Sequence, residues 1–389
     1  GLQYFDHFIA SIMTTLATQK EELSAVKLDL MLSYDPQKTI SLIHQPEPRT
    51  YDLIHLGNKA YNLTKLHAIG IRVPPAFVVT TEYYRCRSVI EGFSHARMDF
   101  EERVMDHIQK LEEATGRRFG CPEKPLLLSV RSGSAVSMPG MMNTFLNVGI
   151  NEAVVEGLIR ETGEAWFAWD NYRRFIQSWA MSFCMARDEF DALMIRYKQK
   201  YGRKVKRQFL PGELSEMVRA YRTAALEDHG IRVAEDPKEQ LFTAIEQVTN
   251  SWISSKAKTY REIMGISENW GTAVAIQAMV FGNLDTHSGA GVMFTHDPRQ
   301  SEDQVEPVGD FTLGNQGEDI VGGLVQGLPL SERQRLGEGE LKEYSLESLF
   351  PRVYRQLVRV AKDLVYGHNW APQEIEFTFE SENPDDLYI

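Results

Sequence analysis

The chain has 389 residues, is 43% apolar and carries a formal net charge of -12. Its length predicts roughly two to three domains with well-filled cores, and its acidic balance opposes broad nucleic-acid binding, because phosphate backbones require a basic face. No window approaches the ~18 uninterrupted apolar residues of a membrane helix, and no basic stretch precedes an apolar one as in a signal peptide, so we expect a cytoplasmic protein without membrane contacts. The three cysteines are far apart and form no CxxC, which indicates neither a disulfide framework nor a zinc site.

Residues 1–50 are predicted to form a helical N-terminal extension. Apolar side chains at i, i+3, i+4 spacing indicate an amphipathic helix over residues 3–32, which Asp35-Pro36 would end. We expect this helix either to pack on its own domain or to bind a partner. Because the chain starts with Gly and stops at DLYI, immediately after a strand-like segment, we also expect a piece of a longer protein. The spaced apolar side chains are Phe5, Phe8, Ile9, Ile12, Met13 and Leu16.

Three further regions follow along the chain. Over residues 51–150, helix and strand signals alternate: LGNKAYNLTKLHAIG predicts a short helix ended by Gly70, and RVPPAFVVTT and PLLLSV predict strands. Residues 151–268 are predicted to be a mainly helical insertion, with capping signals at Asn151 and Pro211. Strand signals return over residues 269–389, which we expect to form a second α/β unit.

Two basic residues are predicted beside structural features that can bind an anion: Lys59 at the start of a helix and Arg131 before a flexible loop. Lys59 is expected at the first turn of its helix, where the macrodipole disfavours a cation unless an anion such as phosphate is present; a solvent-exposed lysine is the alternative. Arg131 precedes SGSAVSMPGMMNT, which can fold over a ligand and offer backbone N–H groups. The methionines of this loop could cover a purine or fill gaps in a core, and the loop is not a Walker motif.

The segment QEIEFTFE alternates with a period of two. Glu374, Glu376 and Thr378 are predicted on one face of a strand, with apolar side chains on the other. The two carboxylates would stand roughly 7 Å apart at the backbone, a spacing that suits two oxygen ligands of Mg²⁺. The alternative is the solvated face of an edge strand.

Taken together, these segments resemble the nucleotide-binding part of the pyruvate phosphate dikinase family, an ATP-grasp-type domain. The resemblance implies an α+β, ATP-grasp-like fold with two α/β subdomains around a nucleotide cleft and a helical insertion. Phosphoenolpyruvate synthases and rifampicin phosphotransferases share this domain type, but the helical middle and WGTAV are most similar to the dikinase. The matching stretches are LGNKAYNL, VRSGSAVSMPGMMNT, NYRRFI, DPKEQL, SWISSKAKTYREIMGISENWGTAVAIQAMVFGN, SGAGVMFTHDP, NQGEDIVGG and IEFT.

The resemblance implies a role for each matching residue. Lys59 and Arg131 would hold the phosphates of ATP and act as the catalytic cations, residues 132–144 would close over the nucleotide, and Glu374 and Glu376 would bind Mg²⁺. Arg174 is a candidate ligand of inorganic phosphate, the second phosphate-bearing substrate. The remaining implied contacts to the nucleotide are Ser132, Gly133, Met138, Gly140, Met141, Thr144, Gln277, Met279, Val280 and Glu318.

The sequence departs from the family pattern at several places. Asn58 stands where the family usually has Gly, and because Asn can still adopt the left-handed conformation, we expect the turn to survive. The family's Leu-Gln-Thr-Arg segment, its phosphohistidine domain and its pyruvate-binding barrel are not in this sequence. We therefore expect the ATP- and phosphate-binding half of a dikinase whose full-length form can be a homodimer, passing a phosphoryl group to a histidine elsewhere. The alternatives are a non-catalytic ATP-binding regulatory or interaction module, or the ATP domain of a related dikinase with a different acceptor, such as a phosphoenolpyruvate synthase or a rifampicin phosphotransferase.

Overall fold

Two five-stranded antiparallel sheets organise this computed structural model, which describes residues 13–14, 33–298, 304–323, 325–337 and 342–389. The helix predicted over residues 3–32 lies outside the described residues except at Met13 and Thr14. In chain order the strands are β1 (Ile40–Leu42), β2 (Ala76–Val79), β3 (Arg118–Phe119), β4 (Pro125–Leu126), β5 (Leu128–Gly133), β6 (Thr144–Val148), β7 (Ala273–Ala278), β8 (Gly289–Phe294), β9 (Val308–Leu313), β10 (Leu328–Pro329), β11 (Glu374–Phe379) and β12 (Leu387–Tyr388).

The strand order differs between the two sheets. The first sheet runs β1-β2-β7-β5-β6, the second runs β10-β9-β8-β11-β12, and β3 pairs with β4 in a small parallel ladder. Neighbouring strands are antiparallel throughout both large sheets. In the first sheet Arg131 on β5 stands opposite Ala275 on β7 and Thr144 on β6.

The helices lie between and around the sheets, and the mixed helix-and-sheet architecture predicted from the sequence is confirmed. None of the described helices combines the length and apolarity needed to cross a membrane. In chain order the helices are α1 (Leu53–Ala68), α2 (Thr81–Gly92), α3 (Ser94–Thr115), α4 (Glu152–Thr162), α5 (Ala165–Ser182), α6 (Arg187–Tyr201), α7 (Pro211–His229), α8 (Pro237–Ser251), α9 (Ser255–Met264), α10 (Gly317–Val321), α11 (Glu332–Gly337), α12 (Leu346–Leu349) and α13 (Pro351–Lys362).

Helices α4 to α9 form the predicted helical region, and its capping signals are confirmed. Asn151 accepts a hydrogen bond from the Val154 N–H at 3.0 Å, and Pro211 opens α7. The region shares one apolar core with the first sheet: for example, the ring of Phe145 on β6 lies 5.9 Å from that of Trp179 on α5. It therefore covers the first sheet rather than forming a core of its own.

Two predicted boundaries do not match the sheets. Strand β7 lies between β2 and β5 in the first sheet, so the boundary predicted at residue 269 separates it from the unit to which it belongs. Strand β1 pairs with β2, so residues 40–42 of the predicted helical extension are part of that same sheet. Both differences arise because antiparallel pairing recruits strands that are distant in sequence, which local patterns do not reveal.

Helix α1 connects the two sheets. Its buried side chains, including Leu56 and Leu63, belong to the same apolar cluster as Ile375 and Phe377 of the second sheet. Ala273 of the first sheet also joins this cluster. The polar side of α1 is thereby held between the sheets, where Lys59 lies.

Candidate nucleotide site

A cavity of about 850 Å³ lies between the two sheets. Its walls come from α1, from β5 and the loop after it, from the residues after β7, and from α10 and β11. All predicted site residues except Met141 and Arg174 line it. The lining set is Lys59, Arg131, Ser132, Gly133, Met138, Gly140, Thr144, Gln277, Met279, Val280, Glu318, Glu374 and Glu376.

A kink at Gly57 places Lys59 in this cavity. Gly57 has φ 75° and ψ 162°, a combination that is essentially restricted to glycine. A Cβ atom at this position would lie 2.1 Å from the carbonyl oxygen of Gly133, and the next residue, Asn58, donates its N–H to the Ser134 oxygen at 2.9 Å. The turn is present without a left-handed Asn58, because the positive φ falls on Gly57 instead.

Lys59 and Arg131 therefore lie opposite two carboxylates, Glu376 on strand β11 and Glu318 on helix α10. The Lys59 Nζ lies 3.2 Å from the Glu376 Oε2. The positive charge of Arg131, together with burial, lowers the pKa of Lys59, whereas Glu376 opposes this shift. Lys59 in turn lowers the pKa of Glu376 and keeps that carboxylate ionised. Like-charge repulsion between the two cations is thus built into the site, and a polyanion would relieve it.

Arg131 retains unused hydrogen-bonding capacity. Its guanidinium faces Glu318 at 3.7 Å between Nη2 and Oε1, which is beyond normal hydrogen-bond length. The Nε atom is buried and has no hydrogen-bond partner among the described residues. A buried unpaired donor on a cation is costly, so the described residues do not fully satisfy the Arg131 guanidinium.

The acidic strand has the predicted alternation. Glu374 and Glu376 are exposed on one face of β11, and Ile375, Phe377 and Phe379 are buried on the other. Both glutamates line the cavity. Their part of β11 pairs with β8 alone, because β12 pairs only with Thr378 and Phe379 of β11.

A pair of carboxylates fits Mg²⁺. This ion is commonly held by one or two carboxylates together with substrate phosphates and water. No group of three or more His, Cys, Asp and Glu side chains forms a metal site within the described residues. Any Mg²⁺ at β11 would therefore need further ligand oxygens from water or from a bound phosphate.

The Gly/Met loop after β5 is docked on helices α8 and α9. The Lys256 Nζ donates to the Gly140 oxygen at 2.9 Å, and the Asn143 N–H donates to the Ser251 Oγ at 3.2 Å. Met138 is buried against Trp252, and Met141 packs on the same small cluster. The methionines thus pack in a small core in this conformation, although Met138 and Met142 also line the cavity and Met141 does not.

The end of β7 and the residues after it form the wall where the chain crosses from one sheet to the other. The Met279 N–H donates to the Leu127 oxygen at 2.9 Å, and the Gln277 side chain donates to the Pro74 oxygen at 3.3 Å. Both donors are therefore already hydrogen-bonded within the protein. An adenine at this wall would therefore rely on other backbone groups and on apolar contact.

Arg174 is not brought to the cavity. Its guanidinium contacts Asp170 at 2.9 Å and both carboxylate oxygens of Asp319. Burial alone would raise the pKa of Asp170, but Arg173, Lys206 and Arg174 hold it well below its usual range. Its suggested role as a phosphate ligand stays a prediction.

Several cavity residues were not predicted. Gln316 and Gly317 adjoin Glu318, and the NQGED motif could have suggested them. Trp370 had no sequence signal, because its partner Lys65, whose Nζ lies 4.3 Å from the Trp370 ring centroid, is distant in the chain. Outside the predicted loop of residues 132–144, the unpredicted polar and aromatic residues of the lining are Asn58, Asn62, Ser129, Gln316, Trp370, Gln373, Phe377, Thr378 and Tyr388.

Comparison with known proteins connects this geometry to a family. The family model described as "Pyruvate phosphate dikinase, AMP/ATP-binding domain" matches residues 86–327. The chain belongs to this family. The matched residues include Arg131 and Glu318, whereas Lys59, Glu374 and Glu376 lie outside them. The predicted dikinase relationship is confirmed.

Named dikinases are similar to most of this chain. The pyruvate, phosphate dikinase of Rhizobium meliloti (strain 1021) is 38% identical over 337 residues, which cover 86% of this chain and 37% of the relative. That of Clostridium symbiosum is 35% identical over 327 residues, covering 84% and 35%. The chloroplastic pyruvate, phosphate dikinase 1 of Zea mays is 37% identical over 326 residues, covering 84% and 32%.

The chain thus spans about a third of the length of these dikinases. Because one relative is named as chloroplastic, the cytoplasmic location stays a prediction.

Proposed function

We propose that this chain binds ATP between its two sheets as the nucleotide half of a pyruvate phosphate dikinase-like phosphotransferase. The observation that carries the proposal is the convergence of Lys59 and Arg131 in one cavity, opposite the carboxylates of Glu376 and Glu318. Two cations whose repulsion a polyanion would relieve suit a triphosphate better than a neutral ligand. The family relationship supports ATP as that ligand.

The proposed arrangement is ATP-grasp-like. Residues 51–150 together with β7 would form one subdomain covered by the helices of residues 151–268, and the second sheet would form the other. Lys59 and Arg131 would hold phosphates, and the backbone near Gln277, Met279 and Val280 would adjoin the adenine. The loop over residues 132–144 would leave its docking site on α8 and α9 to cover the nucleotide.

Glu374 and Glu376 would hold Mg²⁺ in this site. When bound, the ion would offset charge on the phosphate oxygens. The chain's own residues position the nucleotide: Lys59 and Arg131 orient the phosphates, and Glu318 keeps the Arg131 guanidinium directed into the cavity. Phosphoryl transfer depends mostly on such positioning and charge stabilisation.

The phosphoryl acceptor is proposed to be a histidine on a domain outside this chain, and inorganic phosphate is the proposed second substrate. Mixing this chain and Mg·ATP with a histidine-bearing domain of a dikinase relative tests the transfer. We expect labelled β-phosphoryl to appear on that domain, and pyruvate-dependent consumption of ATP to be absent when this chain is alone. ATP binding without transfer, in the full-length protein as well, would instead support a non-catalytic regulatory module.

A further inference from the structure

A cluster of four buried side-chain amides joins helix α5 to helix α10. Its members are at most 5% exposed. The Asn171 Oδ1 accepts hydrogen bonds from the Gln316 Nε2 at 2.9 Å and from the Asn283 Nδ2 at 3.3 Å. The Asn171 backbone oxygen accepts from the Asn147 Nδ2 at 3.2 Å. Asn171 is therefore the centre of the cluster.

Helix α10 depends on these contacts for its position. It has only five residues, and a helix of this length has no stability of its own. Gln316 stands at its N-cap position and donates its backbone N–H to the Asp319 Oδ2 at 3.1 Å, and Asp319 also forms the two-pronged ion pair with Arg174. Asn171 and Arg174 both belong to α5, so one turn of α5 holds both the start and the middle of α10.

Packing efficiency does not explain the cluster. Each of the four amides leaves one buried polar atom without a partner among the described protein groups: Asn147 Oδ1, Asn171 Nδ2, Asn283 Oδ1 and Gln316 Oε1. Apolar side chains of similar size would avoid that desolvation cost. A buried amide network instead fixes one relative orientation of the elements it joins.

Helix α10 presents Glu318 to Arg131 at the cavity. We infer that Asn171 is a positioning residue for the triphosphate site: through Gln316 it fixes α10, and α10 fixes Glu318 against the cations Arg131 and Lys59. This inference deepens the proposed function and rests on it for the identity of the ligand. The positioning itself does not require a ligand and can be measured without one.

Amide hydrogen exchange in the ligand-free protein tests the positioning. In Asn171→Leu, we expect the amides of residues 316–322 to exchange about tenfold faster than in wild type, because the Gln316 amide loses its acceptor. Gln240→Leu is the matched control: Gln240 is also a fully buried amide, but it bonds to Gly149, Ile150 and Ala234 rather than to α10. Unchanged protection of α10 in Asn171→Leu would overturn the inference.

Gln316→Leu removes the donor of the same hydrogen bond. It provides the same test of α10 if Asn171→Leu does not fold. We expect the double variant to exchange no faster at α10 than the faster single variant, because both changes remove one interaction. Effects that multiply, so that the double variant exchanges about a hundredfold faster, would show that Asn171 does not act through Gln316.

Mg·ATP titration then addresses the ligand. Asn171→Leu is expected to weaken Mg·ATP binding about tenfold. At temperatures where Gln240→Leu is folded, that variant should bind Mg·ATP with wild-type affinity. Absence of binding in wild type would reject the proposed function, while the exchange result would still decide the positioning of α10. Wild-type affinity in Asn171→Leu despite a loosened α10 would contradict the link from α10 to the triphosphate.

Discussion

Lys59 and Glu376 form an ion pair of 3.2 Å although 317 positions separate them in the chain. The pair joins the kinked start of α1 to strand β11, and so connects two walls of the cavity. Ion pairs at such partly exposed positions contribute little, about 0–1 kcal/mol. Binding of a nucleotide with its metal would therefore break the pair at small cost, because a phosphate oxygen would contact Lys59 and Mg²⁺ would contact Glu376.

The lowered pKa of Lys59 predicts a pH dependence of ATP binding. Bound phosphate favours the charged ammonium and raises this pKa, so binding takes up a proton at pH values between the pKa of the free protein and that of the complex. We expect ATP affinity to fall by up to about tenfold per pH unit in that range. Calorimetry in buffers of different ionisation enthalpy measures the proton uptake.

The matched control for this pH dependence is Lys59→Arg. A guanidinium stays charged throughout this range, so its ATP affinity should be flat. An equal decline in both proteins would show that another group titrates.

Removing the negative charges of β11 tests the metal assignment. Glu374→Gln, Glu376→Gln preserves side-chain size but removes two candidate Mg²⁺ ligands, and should weaken Mg²⁺-dependent ATP binding by about 2 kcal/mol. The fold should survive, because both side chains are exposed. ATP titrations at several Mg²⁺ concentrations provide the measurement.

Glu382→Gln is the control for that experiment, since Glu382 is an exposed carboxylate that pairs with His287 outside the cavity. Its Mg²⁺ dependence should equal that of wild type. The same Mg²⁺ dependence in the β11 variant would leave the two glutamates as the solvated face of an edge strand.

Gly57→Ala should damage both stability and the site. The new Cβ would collide with the Gly133 backbone at 2.1 Å, in a conformation with positive φ. We expect a loss of more than about 2 kcal/mol in the free energy of unfolding together with weaker ATP binding, because Lys59 follows the kink. Urea unfolding measures the first effect.

The Gly70→Ala variant distinguishes the energetic cost of a positive φ from the cost of a steric clash. Gly70 also has a positive φ of 81°, but a Cβ there would meet nothing within 4 Å. Its cost should be about 1 kcal/mol, with ATP affinity unchanged. Equal losses in the two variants would contradict the close approach of Gly57 to Gly133.

The sequence predicted local patterns better than distant pairings. The alternation of β11 and the caps of α4 and α7 are encoded within a few residues, and the structure has them. The proximity of Lys59 to Arg131 and Glu376 was expected from the family resemblance, since no local pattern relates these residues. The membership of β7 in the first sheet and the amide cluster around Asn171 could not be predicted, because each depends on contacts between segments far apart in the chain.

A separate prediction concerns the Gly/Met loop in the conformation in which it packs on α8 and α9. Lys256 is exposed and donates to the Gly140 oxygen, so Lys256→Ala should leave the free energy of unfolding within about 0.5 kcal/mol of wild type. The amides of residues 138–142 should nevertheless exchange several-fold faster, about what one lost hydrogen bond gives.

Lys258→Ala, at another exposed position of α9, should change neither stability nor loop exchange. Identical exchange of the loop in the Lys256 and Lys258 variants would show that the contact with Gly140 does not hold it.

The central claim is that Lys59 and Arg131 bind the phosphates of ATP, and calorimetric titration of Mg·ATP into wild type and into Lys59→Ala, Arg131→Ala tests it most directly. We predict one site per wild-type chain with a Kd below about 1 mM, and a loss of at least about 3 kcal/mol in the double variant, since two charged contacts are removed. Equal affinity of the two proteins, or no binding to wild type at millimolar ATP, would contradict the claim.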